Sequence, residues 1–369
     1  ITSSGRGFLY GCSSITSLDL SPLRNITDTD DYFLYGCSSL TSLDLSPLSN
    51  ITCIRETFLA NCYELKSIDF SPLKNINAIG NNFLCYCYSL KTVELPSFWE
   101  IKTIGRNFIY RCNSLTNITL PSEWKIEAIG DAFLSSCSSL ENITLPETWS
   151  VTSIGGNFLY NCTSLKNIEL PSTWPVTKIG CSFLYCCINL TNITLPTTWI
   201  ITSLDNSFLY GCTGLTSIKL PETWQITTIE RSFLHGCSSL KNVVFPSTWN
   251  ITSIGSNFLY GCSSLTSIEL PETWKVTKIN NYFLSKCANI KSLTIPATWE
   301  ITSIGTNFLQ ECKSLLSIDL SSFSKITSIC SYFMEDCESI TEIDFSQLTS
   351  LKTIASNYFL LNYYNLTSI

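Results

Sequence analysis

Across 369 residues there is a single histidine, and charged side chains make up only 14% of the chain. General acid–base catalysis needs a base and an oriented partner, and nothing else in the repeat around His235 supplies them, so no catalytic residue and no enzyme activity is expected. No stretch approaches the roughly 18 apolar residues of a membrane span, and no basic segment followed by an apolar run suggests a signal peptide. Cys-x-x-Cys pairs are missing as well, which removes the usual ligand spacing for zinc. With 22 Lys+Arg against 29 Asp+Glu, the net charge is −7, and no basic footprint exists for nucleic acid or for an anionic membrane surface. The expectation is therefore no metal, no cofactor, no nucleic-acid partner and no membrane insertion within this segment.

What the chain has is apolar mass and a period. Hydrophobic residues make up 44%, ample for a continuous core, which excludes intrinsic disorder and leaves a surface of Ser, Thr and Asn. Phe recurs every 25 residues from Phe8 to Phe333 without insertion or deletion, and Cys keeps the same step from Cys12 to Cys337. A fixed step in this range marks a solenoid, in which each unit contacts only its neighbours. The expected domain is thus one solenoid over residues 1–369, of about fourteen to fifteen 25-residue repeats.

Residues 251–275 show one repeat: I-T-S-I-G-S-N-F-L-Y-G-C-S-S-L-T-S-I-E-L-P-E-T-W-K. Ile268 and Leu270 alternate inward as a short strand does, and Pro271 removes a ladder donor and ends it. Ile251 and Ile254 predict a second short extended segment. Gly255 then offers a turn, after which Phe258, Leu259 and Cys262 predict one face of a short helical turn. The fold class that follows is an α/β solenoid, a superhelix of short parallel β-strands on one face with a second extended segment and a helical turn in each coil. A lone coil buries too little to offset the entropy of ordering its backbone, so coils must stack to fold.

The pattern L-x-x-I-x-L followed by Pro, then I-x-x-I-G-x-x-F-L-x-x-C, resembles the BspA-like class of leucine-rich repeats over the entire chain. That resemblance implies a surface-exposed or secreted protein engaged in adhesion and in host or matrix binding. The chain departs from the family in its slightly longer period, its F-L where A-F is commoner, and its Trp column.

Several columns are candidates for function. On the outward strand face, Asn117, Asn142, Asn167 and Asn192 alternate with an acidic column, Asp19, Asp44, Asp69, Glu94, Glu169, Glu269, Asp319 and Asp344. These form either a polar, acidic track for a ligand or cation, or a solvated sheet face. Trp99, Trp124, Trp149, Trp174, Trp199, Trp224, Trp249, Trp274 and Trp299 lie in register, as buried filler at a corner or as a partly exposed aromatic ladder for sugars or a protein partner. Fourteen of nineteen cysteines form the Cys column, read as a stack of buried thiols, while Cys181 and Cys186 could make a local bridge. His235 stands where other coils carry Tyr210 or Tyr260, as a substitution within a surface ridge.

Nine Asn-x-Ser/Thr sequons occur, at Asn25, Asn50, Asn117, Asn142, Asn161, Asn189, Asn192, Asn250 and Asn365. Glycans at Asn117, Asn142 and Asn192 would sit on the strand face and block a peptide from docking there. The last repeat slips, with Phe359 one residue late and Tyr363 in the Cys position, either a cap or drift. Ile1 and Ile369 both fall in mid-repeat, so targeting segments, anchors and caps are expected outside this segment.

Three functions remain open at this point. The first is an extracellular or cell-surface scaffold for adhesion, or for recognition of a protein or carbohydrate ligand. The second is a building block of a surface filament or coat, binding itself end to end. The third is a cytosolic interaction module, suggested by the reduced look of the Cys column.

Overall fold

The computed structural model describes residues 1–354 and 359–369 and divides into two compact units, Ile1–Ile188 and Asn189–Ile369. Each unit is a β-solenoid whose strands are two or three residues long and pair in parallel with the strand 25 residues away. In the first unit Thr103–Ile104 pairs with Ala128–Ile129, which pairs with Ser153–Ile154, which pairs with Lys178–Ile179. In the second unit Thr228–Ile229, Ser253–Ile254, Lys278–Ile279 and Ser303–Ile304 form the same ladder. These ladders are the second extended segment. The L-x-x-I-x-L strand is paired in fewer coils, at Ser67–Asp69 with Thr92–Glu94, at Ser217–Lys219 with Asn242–Val244, and at Ser292–Leu293 with Ser317–Ile318. Both strand types show the alternation that their sequence predicts, with Ser67 and Asp69 outward and Ile68 inward.

The helical turn predicted at Phe258, Leu259 and Cys262 is not formed. The Phe-Leu segment instead threads through left-handed residues at every second position, as at Thr57, Leu59 and Asn61 with φ of 64°, 53° and 62°. A right-handed helix cannot pass through such residues, because its i to i−4 bonds need consecutive right-handed dihedrals. The amides bond between coils instead: Leu59 N–H donates back to Phe33 O at 3.0 Å, while those of Thr57 and Asn61 donate forward to Asn81 O and Cys85 O, each at 2.8 Å. Phe58, Leu59 and Cys62 all still point into the core, fully buried. Their shared inward facing was legible in the sequence; the backbone that delivers it was not. The 3₁₀ turns among the described residues are Ser21–Leu23, Ser46–Leu48 and Ser321–Phe323.

Gly255 leads into the turn over residues 256–261, as its place in the sequence offered. It holds no left-handed turn; a Cβ there would lie 2.7 Å from the carbonyl carbon of Glu230 in the preceding coil. A side chain on Gly255 would therefore force the backbone to shift, as it must be placed differently in the coils that carry Glu230 or Asn280 at the same step.

Three buried columns tie each unit together. Phe rings stack from coil to coil with centroids 5.4 Å apart for Phe33–Phe58 and 5.5 Å for Phe133–Phe158 in the first unit, and 5.4 Å for Phe258–Phe283 in the second. Tryptophans stack likewise, 6.0 Å apart for Trp149–Trp174 and 5.9 Å for Trp274–Trp299. Six of the rings also reach back 28 residues to a carbonyl, as Trp149 Nε1 donates to Pro121 O at 3.1 Å and Trp249 Nε1 to Pro221 O at 3.0 Å, while Trp99 Nε1 donates to Leu73 O. Trp224 departs from this, its Nε1 buried without an acceptor. In the thiol column Cys162 Sγ donates to Leu134 O and Cys262 Sγ to Leu234 O, each at 3.2 Å. Burial pushes these thiols up, to about 12 for Cys137 and Cys287, so they stay protonated and keep that donor. At the slipped repeat Tyr363 replaces the thiol as donor, its hydroxyl reaching Met334 O at 2.7 Å, while Phe359 still stacks on Phe333.

Candidate binding surfaces

The tryptophans do not form an accessible ladder. All nine are 0–1% exposed, because each ring fills the corner after the strand and spends its N–H inside the protein or, at Trp224, buries it. No sugar or partner can stack on them without unfolding the corner.

The strand-face residues Asn117, Asn142, Asn167 and Asn192 and the eight acids are all exposed, but the acids split by chemistry. Asp19, Asp44, Asp319 and Asp344 each accept the backbone N–H of the residue two positions on, Ser21, Ser46, Ser321 and Ser346, at 2.8 Å. Asp69 does the same with Ser71 at 2.7 Å. The side-chain and then the backbone hydrogen bonds from that serine hold the carboxyls of Asp19, Asp44 and Asp344 below the usual carboxylate range. Glu94, Glu169 and Glu269 cannot copy this, since the residue two positions on is Pro96, Pro171 or Pro271, which has no N–H. The Asp members are thus turn caps, and only the Glu members are uncommitted.

On the strand face of the second unit, Ser217–Lys219 and Asn242–Val244 form a two-stranded ladder with no further strand on either side among the described residues. Where pairing stops, the face opens into grooves. One, of about 410 Å³, runs between Asn192 and Thr223; the other, of about 460 Å³, between Asn242 and Pro271. Lys219, Val244 and Glu269 cross this region in one outward column, with Val244 41% exposed. Cation, apolar contact and anion therefore stand side by side.

A third concavity, of about 370 Å³, lies on the left-handed-loop side of the first unit, lined by Tyr88, Arg111, Asn113, Ser136, Ser138 and Asn161. Sequence reasoning missed it, though a signal was present: the left-handed position that is Gly in Gly11, Gly36, Gly211, Gly236 and Gly261 is Tyr86, Arg111, Ser136 and Asn161 here.

His235 sits between the rings of Tyr210 and Tyr260, 4.3 and 4.6 Å away, with Nδ1 buried and unpaired. Desolvation pulls its pKa down to about 4, so the ring is neutral near pH 7. Cys181 and Cys186 are both free thiols, the first exposed and the second half-buried. Among the sequons, Asn25, Asn117, Asn142, Asn189, Asn192 and Asn250 are exposed and Asn161 half-buried. Asn50 and Asn365 are exposed as well, with their amides donating to Arg24 O at 2.9 Å and Glu338 O at 2.8 Å. No group of three or more potential metal ligands is clustered among the described residues, and no helix among them is long and apolar enough to cross a membrane.

Parallel ladders stepped by 25 residues, inward Leu-x-x-Ile-x-Leu and buried Phe and Cys columns define a leucine-rich-repeat β-solenoid. The chain belongs to the BspA type leucine rich repeat region family, which matches residues 1–91, 73–174, 127–251 and 227–367. Its fold is similar to that of a leucine-rich repeat protein from Bacteroides ovatus, with 23% identity and a TM-score of 0.64 over 96% of this chain and 88% of that one. A leucine rich cell surface protein from Faecalibacterium prausnitzii is similar at 22% identity and a TM-score of 0.46, over 83% of each chain. No curated protein matches the sequence.

Proposed function

We propose that this chain is an extracellular or cell-surface recognition scaffold that works without covalent chemistry and docks a protein or carbohydrate partner on the strand face between residues 192 and 271. The two-stranded ladder with an open groove on either flank carries this reading. Docking there uses a mixed surface, with Val244 as apolar anchor between Lys219 and Glu269. Sequon placement favours one of the two grooves. A glycan on Asn192 would fill the groove that it lines, whereas no lining residue of the groove from Asn242 to Pro271 is a sequon asparagine, so that groove stays open.

The test is binding of the intact chain to immobilised extracellular-matrix proteins and to a glycan array, against a Lys219→Glu, Val244→Asp double variant. The variant is expected to bind at least about ten-fold more weakly, as loss of one buried anchor and a charge reversal should cost more than about 1.4 kcal/mol. Unchanged binding would move the interface off this face, and wild-type protein that binds nothing would remove the adhesion reading. Intact-mass measurement of native material checks the surface location, since glycans on these sequons require passage through a secretory compartment.

A further inference from the structure

The concavity around Arg111 has no part in the function proposed above: it lies on a different side of the coil and in the other unit. Its cation is held without an acid, as are those of Arg24 and Arg231 among the described residues, but unlike several others nearby. Lys102, Arg106 and Lys166 each pair with an acid one coil away, at 3.3, 3.4 and 2.8 Å, yet Arg111 meets no carboxylate among the described residues. It is held by tyrosines instead. The guanidinium lies 5.4 Å from the Tyr110 ring centroid and 5.7 Å from that of Tyr86, and Nε donates to the Tyr110 hydroxyl at 2.9 Å. That grip, to which the Tyr88 hydroxyl adds, fixes the side chain beside the concavity, where its planar fork suits a planar anion.

The rest of the lining points the same way. Asn113 and Asn161 supply amides and Ser136 and Ser138 hydroxyls, and no side-chain hydrogen bond among the described residues uses them. Tyr88 is 37% exposed and backed by Tyr63, with ring centroids 5.2 Å apart, so it offers an aromatic face at the rim. An aromatic face beside amides, hydroxyls and one arginine suits a ligand with an apolar C–H face, several hydroxyls and a carboxylate.

The backbone adds a separate observation. Arg111, Ser136 and Asn161 hold left-handed φ of 58°, 59° and 56°, where Gly36, Gly211 and Gly236 serve other coils without strain. Two other side chains in this column are spent on neighbours: Lys286 pairs with Glu311 at 3.4 Å, and Asn362 donates to Asp336 at 2.6 Å. At Ser136 and Asn161 the same strain is accepted without that return.

We propose that the concavity bounded by Tyr88, Arg111, Asn113 and Asn161 binds a carboxylated sugar, with Arg111 on the carboxylate, Tyr88 against the ring face and the amides and serines on the hydroxyls. The test is calorimetric titration of the intact chain with the methyl glycosides of N-acetylneuraminic acid and glucuronic acid, their carboxyl methyl esters, methyl galactoside, and sodium acetate. At least one acid is expected to bind, its ester at least ten-fold more weakly, and acetate and methyl galactoside weakly or not at all. Arg111→Gly installs the residue that other coils use here, so its melting temperature should be unchanged or higher while binding is lost. Arg111→Lys, a point charge without the fork, should weaken binding at least ten-fold.

Failure of every probe up to on the order of 10 mM, or equal binding of the esters, overturns the proposal. Acetate binding as tightly as the acid sugars would reduce the site to a bare anion site and overturn it too, as would full binding by Arg111→Gly. The Lys219→Glu, Val244→Asp variant should bind the acid sugar normally, which keeps this outcome separate from that of the strand-face proposal.

Discussion

At the scale of single residues, the columns differ in how much each position tolerates. His235 shows this because it keeps the place of a tyrosine but not its chemistry. In the unfolded chain its pKa is ordinary, about 6.5, whereas in the folded chain it is pulled down to about 4. Between these values the unfolded chain takes up the proton first. Stability from the neutral ring is therefore complete above about pH 6.5, and is lost as pH falls toward 4. Solvent reaching the half-exposed ring screens much of the cost, leaving an expected loss of about 1 kcal/mol. Carboxylates titrate in the same range, so the measurement is the difference in melting temperature between wild type and His235→Tyr at pH 7 and pH 4.5. The variant should pull ahead at the lower pH; parallel behaviour at both would show that the ring's surroundings do not matter to stability.

At the scale of the elements, close approach between coils governs what can change. In the first unit a Cβ on Gly155 would fall 2.5 Å from the carbonyl carbon of Gly130 and 2.6 Å from the amide nitrogen of Asp131. Neither is the end of a flexible side chain, so Gly155→Ala should destabilise by more than about 2 kcal/mol in urea titration. An effect under half that would mean the coils separate easily at this corner. The extended segment at Ile254 and the inward Phe and Cys were legible in the sequence because side-chain burial follows periodicity, whereas at Ile268 and Leu270 only the inward facing holds and the predicted strand is not formed. The Phe-Leu turn was not, because spacing alone does not distinguish a helical turn from alternating left-handed residues when both direct Phe258 and Cys262 inward. For the binding surfaces, the exposure of Glu94, Glu169 and Glu269 could be read from alternation. The capping by Asp19 and Asp69 needed attention to the Ser two positions on, and the Trp burial needed the corner geometry.

At the scale of the whole molecule, the 25-residue step is the unit of tolerance, since each coil answers only to its neighbours. Deleting residues 126–150 joins Lys125 to Val151 and keeps every column in register, so this variant should retain the strand signal in circular dichroism and the emission of buried tryptophan. Deleting residues 126–137 shifts Phe over polar positions at one junction, so this variant should melt well below the 25-residue deletion; equal melting of the two would show that register matters less than composition. The directions of the side-chain bonds carry one more consequence. Trp149 and Cys162 bond to carbonyls 28 residues earlier, and Thr152 to one 25 residues earlier. A coil just leaving the ribosome can therefore satisfy these donors on a predecessor that is already in place, while its own carbonyls wait for the coil to come. Growth of the fold would follow the order of synthesis, one coil at a time, in the manner of a zip closed from its lower end.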